Sequence, residues 1–260
     1  TLSYIININL KIRPLIFAQH RCHSTYLNFG GDKKKLIDEL LGKPAGNNRG
    51  LGGSASISSK SINMFGHDGH MGTQMPIGLG ACFASRKPTI IFLGDAALEE
   101  DYVLASLSWV AKKKLPVLFV IEDNDFAISV PKNEQTSGES VYNIAQGYDS
   151  LMRYDVNGTD FFESYAAFNK AVERARASRG PSIIVSDVVR LLPHSNADDH
   201  RKYRLGYGKG FYDRYLNKYA KKFNNITTVG VAFSFQKYHK LPINNKDFKL
   251  NYILTEKGIY

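Results

Sequence analysis

The chain has 260 residues, of which 43% are hydrophobic, and it carries a formal net charge of +10 at pH 7. A chain of this size can bury a sizeable core in one or two domains. Two cysteines, Cys22 and Cys82, exclude a disulfide framework and indicate a reducing, cytoplasmic compartment, and no apolar run is long enough to span a membrane.

Residues 1–16 lack an initiator Met and a clear signal-peptide pattern. We therefore interpret them as a fragmentary N-terminal lead. Residues 46–61 form the loosest stretch of the chain, because Gly, Ser and Asn dominate it. No internal repeat and no long low-complexity linker divides the sequence.

A strand–helix–strand crossover is predicted in the middle of the first half. Residues Thr89–Leu93 form a short apolar run ended by Gly94, which is typical of a buried strand in a parallel sheet. Val117–Ile121 is a second such run, and the lysines at 112–114 close the intervening helix with charge that favours its dipole. Four side chains of this helical segment recur at helical spacing: Leu98, Tyr102, Ala105 and Trp109.

Two polar side chains follow the strands of this crossover. Asp95 comes directly after the first strand and Asn124 shortly after the second. A right-handed crossover places both at the C-terminal ends of parallel strands, where open α/β sheets bind ligands. A carboxylate and an amide oxygen are hard ligands that suit a magnesium ion which also holds phosphates. The alternative is that Asp95 belongs to a tight turn and Asn124 satisfies loop backbone.

The later elements continue the alternation of strands and helices. They predict a parallel α/β sheet in the first region and the same class in the tail. The predicted elements are a strand over Leu151–Val156, a turn and helix cap over Asn157–Asp160, a helix to about Ser178, a strand over Ser182–Val189, a polar loop over Arg190–Arg204, a helix over Phe211–Phe223 and a strand over Thr227–Phe233.

Six motifs in order carry a family resemblance, which runs from about Phe17 to Arg204. Gly-Asp-Ala followed one crossover later by Asn resembles the magnesium–thiamine-diphosphate motif. Taken together, the motifs resemble the alpha subunit of thiamine-dependent 2-oxo acid dehydrogenases, the decarboxylating component of the pyruvate and branched-chain complexes. They are His20–His23, Gly42-Lys43, Gly50–Ser54, Gly69–Pro76, Gly94–Ala96 with Asn124, and Arg190–Ser195.

The resemblance implies a thiamine diphosphate and Mg²⁺ site built on a parallel-sheet fold. Asp95 and Asn124 would bind the metal together with the carbonyl of Phe126. By the same resemblance, Arg21 would bind a diphosphate oxygen, and Ala96 and Ala97 would donate backbone N–H groups to the diphosphate. Gly69 and Met71 would contact the aminopyrimidine ring. His194 would be the catalytic residue that stabilises a carbanion-like intermediate.

Some positions depart from the family pattern or allow another interpretation. Ala96 replaces the usual Gly, Asp123 the usual first Asn, and His20 the usual Tyr before Arg21. The cluster at 66–70 has two histidines and an aspartate and could be taken for a zinc site, but its glycines favour a loop passing close to a ring. Ser195 matches a serine that is phosphorylated in some relatives.

The implied activity is oxidative decarboxylation of a 2-oxo acid, with transfer of the acyl unit to a lipoyl-bearing acyltransferase. A beta subunit, in an α2β2 assembly, is implied as partner because the family's cofactor lies between the two subunits. Neither nucleic acid nor a membrane is expected to bind.

A second family resemblance begins where the first ends. Residues Arg204–Arg214 closely resemble the ATP-phosphate loop of 5-formyltetrahydrofolate cyclo-ligase. Glycines at alternate positions let backbone amides approach phosphate oxygens. Asp213 and Asp247 match that family's magnesium-binding acids. Domains are therefore expected at 17–204 and 205–260, with ATP at Arg204 and the loop glycines Gly206, Gly208 and Gly210.

Charge changes at the same boundary. Residues 205–260 carry ten Lys and Arg against three acids, which supplies seven of the formal charge of +10. A basic aromatic segment is also seen in nucleic-acid binders, but an anionic nucleotide or polyglutamyl ligand explains these charges better. Two alternatives to the dehydrogenase function stay open: a cyclo-ligase activity, and a non-catalytic or truncated chimera.

Overall fold

The computed structural model divides into two compact units, Thr1–Arg190 and Leu191–Tyr260. It describes residues 2–9, 13–135, 143, 145–190, 194, 216–217, 226–232, 234 and 247–260.

The first unit is a parallel sheet of six strands in the order β2-β1-β3-β4-β8-β7. Every neighbouring pair in this order is parallel. The predicted α/β class with a parallel sheet is therefore confirmed. The strands are β1 (Leu15–Phe17), β2 (Met64–Phe65), β3 (Thr89–Gly94), β4 (Val117–Asp123), β7 (Met152–Asn157) and β8 (Ser182–Asp187), and a separate antiparallel pair is formed by β5 (Phe126–Ala127) and β6 (Val130–Pro131).

Helices cover both faces of this sheet. Along β3, Ile90 and Phe92 belong to one buried cluster and Ile91 and Leu93 to another, since successive side chains point to opposite faces. This double burial explains why the central strands are continuous apolar runs. The α-helices are α1 (Leu2–Asn9), α2 (His23–Asn28), α3 (Lys33–Leu40), α4 (Gln74–Ser85), α5 (Asp101–Lys113) and α6 (Phe161–Arg176).

The crossover from β3 to β4 confirms the predicted strand–helix–strand unit, but its helix packs through a different face. Leu98 lies in a short 3-10 helix (Ala96–Glu99) that precedes α5. Trp109 is 38% exposed, whereas α5 buries Val103, Ser106, Leu107, Val110 and Ala111. The chain turns between the two helices at Glu100, which is extended, so the helical phase starts anew at Asp101.

The residues before Phe17 form part of the first unit. Leu2 and Ile6 of α1 are buried in the same cluster as residues of α6, and β1 begins at Leu15. The described part of residues 1–16 thus contributes to the packing of this unit. The expected helix to Ser178 ends at Arg176, and the expected strand over Ser182–Val189 ends at Asp187.

The second unit contains a three-stranded sheet in the order β11-β10-β9. Within it, β9 (Val229–Val231) is parallel to β10 (Tyr252–Thr255), which is antiparallel to β11 (Gly258–Ile259). The strand predicted at Thr227–Phe233 is thus confirmed in its centre. Of the helix predicted over Phe211–Phe223, the described residues 216–217 are helical.

None of the helices in the described ranges combines the length and apolar character that a membrane span requires.

Replacing Asp160 by Ala tests the capping of α6. The carboxylate of Asp160 accepts hydrogen bonds from the backbone N–H groups of Phe162 (2.9 Å) and Glu163 (3.1 Å) at the start of this helix. We expect Asp160→Ala to lower the free energy of unfolding by about 1 kcal/mol, because two N-terminal donors lose their acceptor. Urea denaturation followed by circular dichroism measures the change. Asp160→Asn is the matched control, since Asn caps helices equally well; equal losses in both variants would contradict the capping role.

Candidate functional site

The polar residues of the predicted magnesium motif meet at one edge of the sheet. Asp95 follows β3 and Asn124 follows β4, and these strands pair in parallel from Thr89–Val117 to Gly94–Glu122. The side-chain amide of Asn124 donates a hydrogen bond to Oδ1 of Asp95 at 3.1 Å. The proximity predicted from the crossover is therefore confirmed.

Each of these two side chains also has an oxygen without a donor among the described residues. Asp95 is only 3% exposed, and its Oδ2 atom is buried with no hydrogen-bond partner; Oδ1 of Asn124 is in the same situation. Buried acceptors left unsatisfied are costly. A hard cation would satisfy both oxygens, so the donor set fits Mg²⁺.

The described residues hold no group of three or more His, Cys, Asp or Glu side chains arranged for a metal. The protein thus offers two side-chain oxygens here, and a bound Mg²⁺ would take its other ligands from backbone carbonyls, phosphates or water. Phe126, the predicted carbonyl ligand, starts β5 two residues after Asn124.

Burial and a neighbouring acid control the charge of Asp95. Burial, and secondly the negative charge of Asp123, raise the pKa of Asp95 to about 7. Asp123 is itself buried and forms an ion pair with Lys132, which lies in the short 3-10 helix after β6. A cation bound at Asp95 would favour the ionised carboxylate and reverse this shift.

Arg21 lies at the same edge, beyond the end of β1. Gln19 of this segment donates a hydrogen bond to Oε2 of Glu122 (2.6 Å), at the end of β4. Arg21 has a left-handed backbone (φ 58°), and its backbone N–H donates to the carbonyl of Ser54 at 3.1 Å. Burial and the nearby charge of Arg190 lower the pKa of Arg21. The two guanidinium groups together give this region positive charge, which favours an anionic ligand.

His20 and Arg190 complete this basic region. His20 stands where the family usually has Tyr, and its Nε2 atom lies 2.6 Å from Nη2 of Arg21. The histidine therefore contacts the arginine side chain that follows it. Arg190 donates to the carbonyl of Ile128 (2.6 Å) and lies over the ring of Phe126 at 5.2 Å. The sequence places Arg190 at the start of a motif and gives no sign of its contact with Phe126.

Ala96 and Ala97 occupy the turn after Asp95. Ala96 opens the 3-10 helix, a conformation of negative φ that accepts a methyl group, so the replacement of Gly at this position causes no strain. Ala97 is buried.

The segment with Gly69 and Met71 is a loop held by its own polar groups. Asp68 accepts hydrogen bonds from the Thr73 hydroxyl (2.5 Å) and from the His70 N–H (3.1 Å). Gly69 has φ +108°, which only glycine adopts readily, and the carbonyl of Met71 accepts a hydrogen bond from the Tyr102 hydroxyl. These contacts describe a loop, as the glycines predicted.

The structure does not test the roles of the remaining predicted site residues. His194 and Asp247 belong to the second unit, and their roles stay predictions. The others lie outside the described residues: Ser195, Arg204, Gly206, Gly208, Gly210 and Asp213.

Glu39, in α3, holds the neighbouring glycine loop, and the sequence did not reveal this contact. It is fully buried (0% exposed), and its carboxylate accepts hydrogen bonds from four backbone N–H groups of the glycine loop, here residues 46–54. Oε2 accepts from Asn48 (2.7 Å) and Gly50 (3.0 Å), and Oε1 from Gly52 (2.8 Å) and Gly53 (3.1 Å). Its partners are backbone groups, which leave no pattern in the side chains.

Comparison with known proteins confirms both resemblances. The model of the dehydrogenase E1 component family matches residues 2–215, and the model of the 5-formyltetrahydrofolate cyclo-ligase family matches residues 182–256. The two matches overlap, as the shared junction in the sequence suggested.

Curated relatives match the first family. The alpha subunit of acetoin:2,6-dichlorophenolindophenol oxidoreductase from Cupriavidus necator is 34% identical over 70% of this chain and 56% of its own length. The pyruvate dehydrogenase E1 component subunit alpha of Rhizobium meliloti is 29% identical over 76% of this chain and 58% of its own length. The mitochondrial counterpart from Dictyostelium discoideum is 30% identical over 73% of this chain and 50% of its own length. The chain thus spans about half the length of the curated relatives it matches.

Among solved structures, transketolase from Campylobacter jejuni is similar in fold. It superposes with a TM-score of 0.53 at 16% identity, over 85% of this chain and 35% of the transketolase chain.

The raised pKa of Asp95 predicts a pH-dependent stability for the metal-free protein. The folded state holds this proton up to about pH 7, whereas the ordinary value is 3.8. The contribution of Asp95 to stability is therefore present at low pH and lost as the pH rises through about 7. Asp95→Asn removes this loss, so we expect the variant to gain roughly 3 kcal/mol relative to the wild type between pH 5 and pH 8.

Urea denaturation in the presence of a chelator measures this difference. Asp149→Asn, which changes an exposed carboxylate, is the control and should follow the wild type at both pH values. If the free energy of unfolding changes with pH equally in the wild type and in Asp95→Asn, Asp95 has an ordinary pKa and the prediction is wrong.

Proposed function

Because the chain belongs to the dehydrogenase E1 component family, we propose that its first unit binds thiamine diphosphate through Mg²⁺ and contributes to the decarboxylation of a 2-oxo acid. The observation that carries this proposal is the pair of buried, unsatisfied oxygens on Asp95 and Asn124, at the carboxyl edge of a parallel sheet. Ligands of open α/β sheets bind at this edge.

The residues of this edge have separate tasks in the proposal. Asp95 and Asn124 would hold Mg²⁺ together with the carbonyl of Phe126, and Mg²⁺ would supply positive charge for the diphosphate. Arg21 binds a diphosphate oxygen, for which its planar guanidinium is well suited. The backbone N–H groups of Ala96 and Ala97, which open a helical turn directly after Asp95, would donate hydrogen bonds to the same anion.

The cofactor, when bound, supplies the electron sink that releases carbon dioxide from the substrate. Gly69 and Met71 contact its aminopyrimidine ring, and the positive φ of Gly69 lets the backbone approach closely. His194, in the second unit, is the proposed catalytic residue that stabilises negative charge developing in the reaction.

The proposed partners follow from the relatives. A beta subunit completes the cofactor site in an α2β2 assembly, and a lipoyl-bearing acyltransferase receives the acyl unit. Two free, buried cysteines support a reducing, cytoplasmic location. Because the chain spans only part of its relatives, activity, substrate and partners are all part of the proposal.

A second candidate function rests on the match of residues 182–256 to the cyclo-ligase family. The phosphate loop around Gly206–Gly210 would bind ATP, with Mg²⁺ at Asp213 and Asp247. Residues 205–260 contain ten basic and three acidic side chains, and this positive charge favours an anionic ligand. We propose ATP binding here as secondary to the dehydrogenase function, because the dehydrogenase match covers most of the chain.

Removal of the Asp95 carboxylate tests the primary proposal. We expect Asp95→Ala to weaken the binding of Mg²⁺–thiamine diphosphate by about 100-fold or more, because the metal loses its only carboxylate ligand in the proposed site. Isothermal titration of the full chain, co-expressed with a beta subunit of the family, gives the dissociation constant. Asp149→Ala is the control and should bind like the wild type. Equal binding by wild type and Asp95→Ala would refute the site.

A folate assay tests the second candidate. If it holds, the chain consumes 5-formyltetrahydrofolate only when ATP is present, and Asp213→Ala abolishes the reaction by removing the magnesium ligand. Asp95→Ala, which alters the other unit, is the control and should leave this rate unchanged. A wild type with no ATP-dependent turnover would eliminate the candidate.

A further inference from the structure

Among the described residues, the buried carboxylate of Glu39 is satisfied by backbone N–H groups. Burial acts to raise its pKa, but the hydrogen bonds from Gly50, Asn48, Gly52 and Gly53 outweigh burial, and the pKa lies below its usual range. No ion pair to Glu39 occurs among the described residues. The glycine loop must therefore wrap around this carboxylate, because a buried charge without donors would be strongly destabilising.

Three glycines of the loop, Gly46, Gly50 and Gly52, lie where a side chain would overlap neighbouring atoms. A Cβ atom on Gly46 would lie 2.5 Å from Oε2 of Glu39 and 2.6 Å from its Cα atom. At Gly50 (φ +76°) a Cβ atom would overlap the backbone of Gly42, and at Gly52 it would overlap the carbonyl of Ser56. The stretch that is loosest in sequence is therefore closely packed, and one carboxylate accepts hydrogen bonds from four of its backbone N–H groups.

The end of this loop supports Arg21. Ser54 directly follows the last glycine bonded to Glu39, and its carbonyl accepts the backbone N–H of Arg21 at 3.1 Å. Its hydroxyl lies 2.8 Å from Nε2 of His23. Arg21 needs such support, because its φ of 58° is unfavourable for a residue other than glycine and persists only where the surroundings hold it.

We infer that Glu39 is a positioning residue for the anion-binding arginine. Its carboxylate folds the glycine loop, the loop places Ser54, and Ser54 holds Arg21 in the backbone conformation that directs the guanidinium towards the carboxyl edge of the sheet. The ligand of Arg21 rests on the proposed function. The mechanical link from Glu39 to Arg21 rests on the hydrogen bonds alone.

Glu39→Gln tests this link in the full chain. The amide keeps the size of the side chain, but its NH₂ group faces N–H donors and cannot accept from them. The control is Asp38→Asn on the same helix, whose carboxylate forms ion pairs with Lys34 and Lys43 instead of contacting the loop amides. Hydrogen exchange is measured by mass spectrometry on peptides covering residues 20–23 and 46–54.

Binding of Mg²⁺–thiamine diphosphate is measured in parallel, in a double-mutant cycle with Arg21→Ala. We expect Glu39→Gln to increase exchange at least tenfold in both peptides and to weaken cofactor binding at least tenfold. In the Arg21→Ala background it should weaken binding less than twofold further, because Glu39 acts through Arg21. Asp38→Asn should change exchange and binding less than twofold.

Two results would overturn the inference. In the first, Glu39→Gln speeds hydrogen exchange in peptide 46–54 but leaves exchange in peptide 20–23 unchanged. In the second, the fold-losses of cofactor affinity from Glu39→Gln and Arg21→Ala multiply in the double variant. If the wild type does not bind the cofactor, the proposed function fails, while exchange at 20–23 still decides the role of Glu39. If Glu39→Gln does not fold, Glu39→Asp, which keeps the charge on a shorter side chain, is measured with the same criteria.

Discussion

The in-register parallel pairing of β3 with β4 is the constraint on which the site depends. Because both strands end at the same edge, the residues that follow them, Asp95 and Asn124, are brought within hydrogen-bonding distance. The strands are held by burial on both faces, since their side chains alternate between two clusters. The apolar packing of the central strands therefore determines where the polar side chains of Asp95 and Asn124 lie.

The sequence predicted the elements whose signal is local. Apolar runs ended by Gly94 and followed by Asp95 specify a buried parallel strand and its ligand edge, and Asp160 specifies the start of a helix. The face of α5 could not be predicted in this way. A turn at Glu100 separates Leu98 from the helix, so the helical spacing of apolar side chains continued across a break in the backbone.

Other parts of the site depend on contacts that side-chain patterns do not encode. Glu39 binds backbone N–H groups across the glycine loop, and any residue except Pro supplies such a donor. Lys132 reaches Asp123 across the hairpin of β5 and β6, which is too short to recognise by alternation. The sequence shows that Asp123 stands where the family usually has Asn. Only the fold shows that Lys132 compensates the negative charge of Asp123.

The two matching families place different demands on one chain, and the function proposed for the first unit depends on a metal bound between Asp95 and Asn124. A crystal structure of the chain with Mn²⁺ and thiamine diphosphate, recorded at the manganese edge, tests it most directly. The account predicts an anomalous peak about 2.1 Å from both Oδ2 of Asp95 and Oδ1 of Asn124, bridged to the diphosphate. A peak elsewhere, or a diphosphate bound without contact to this pair, would contradict it.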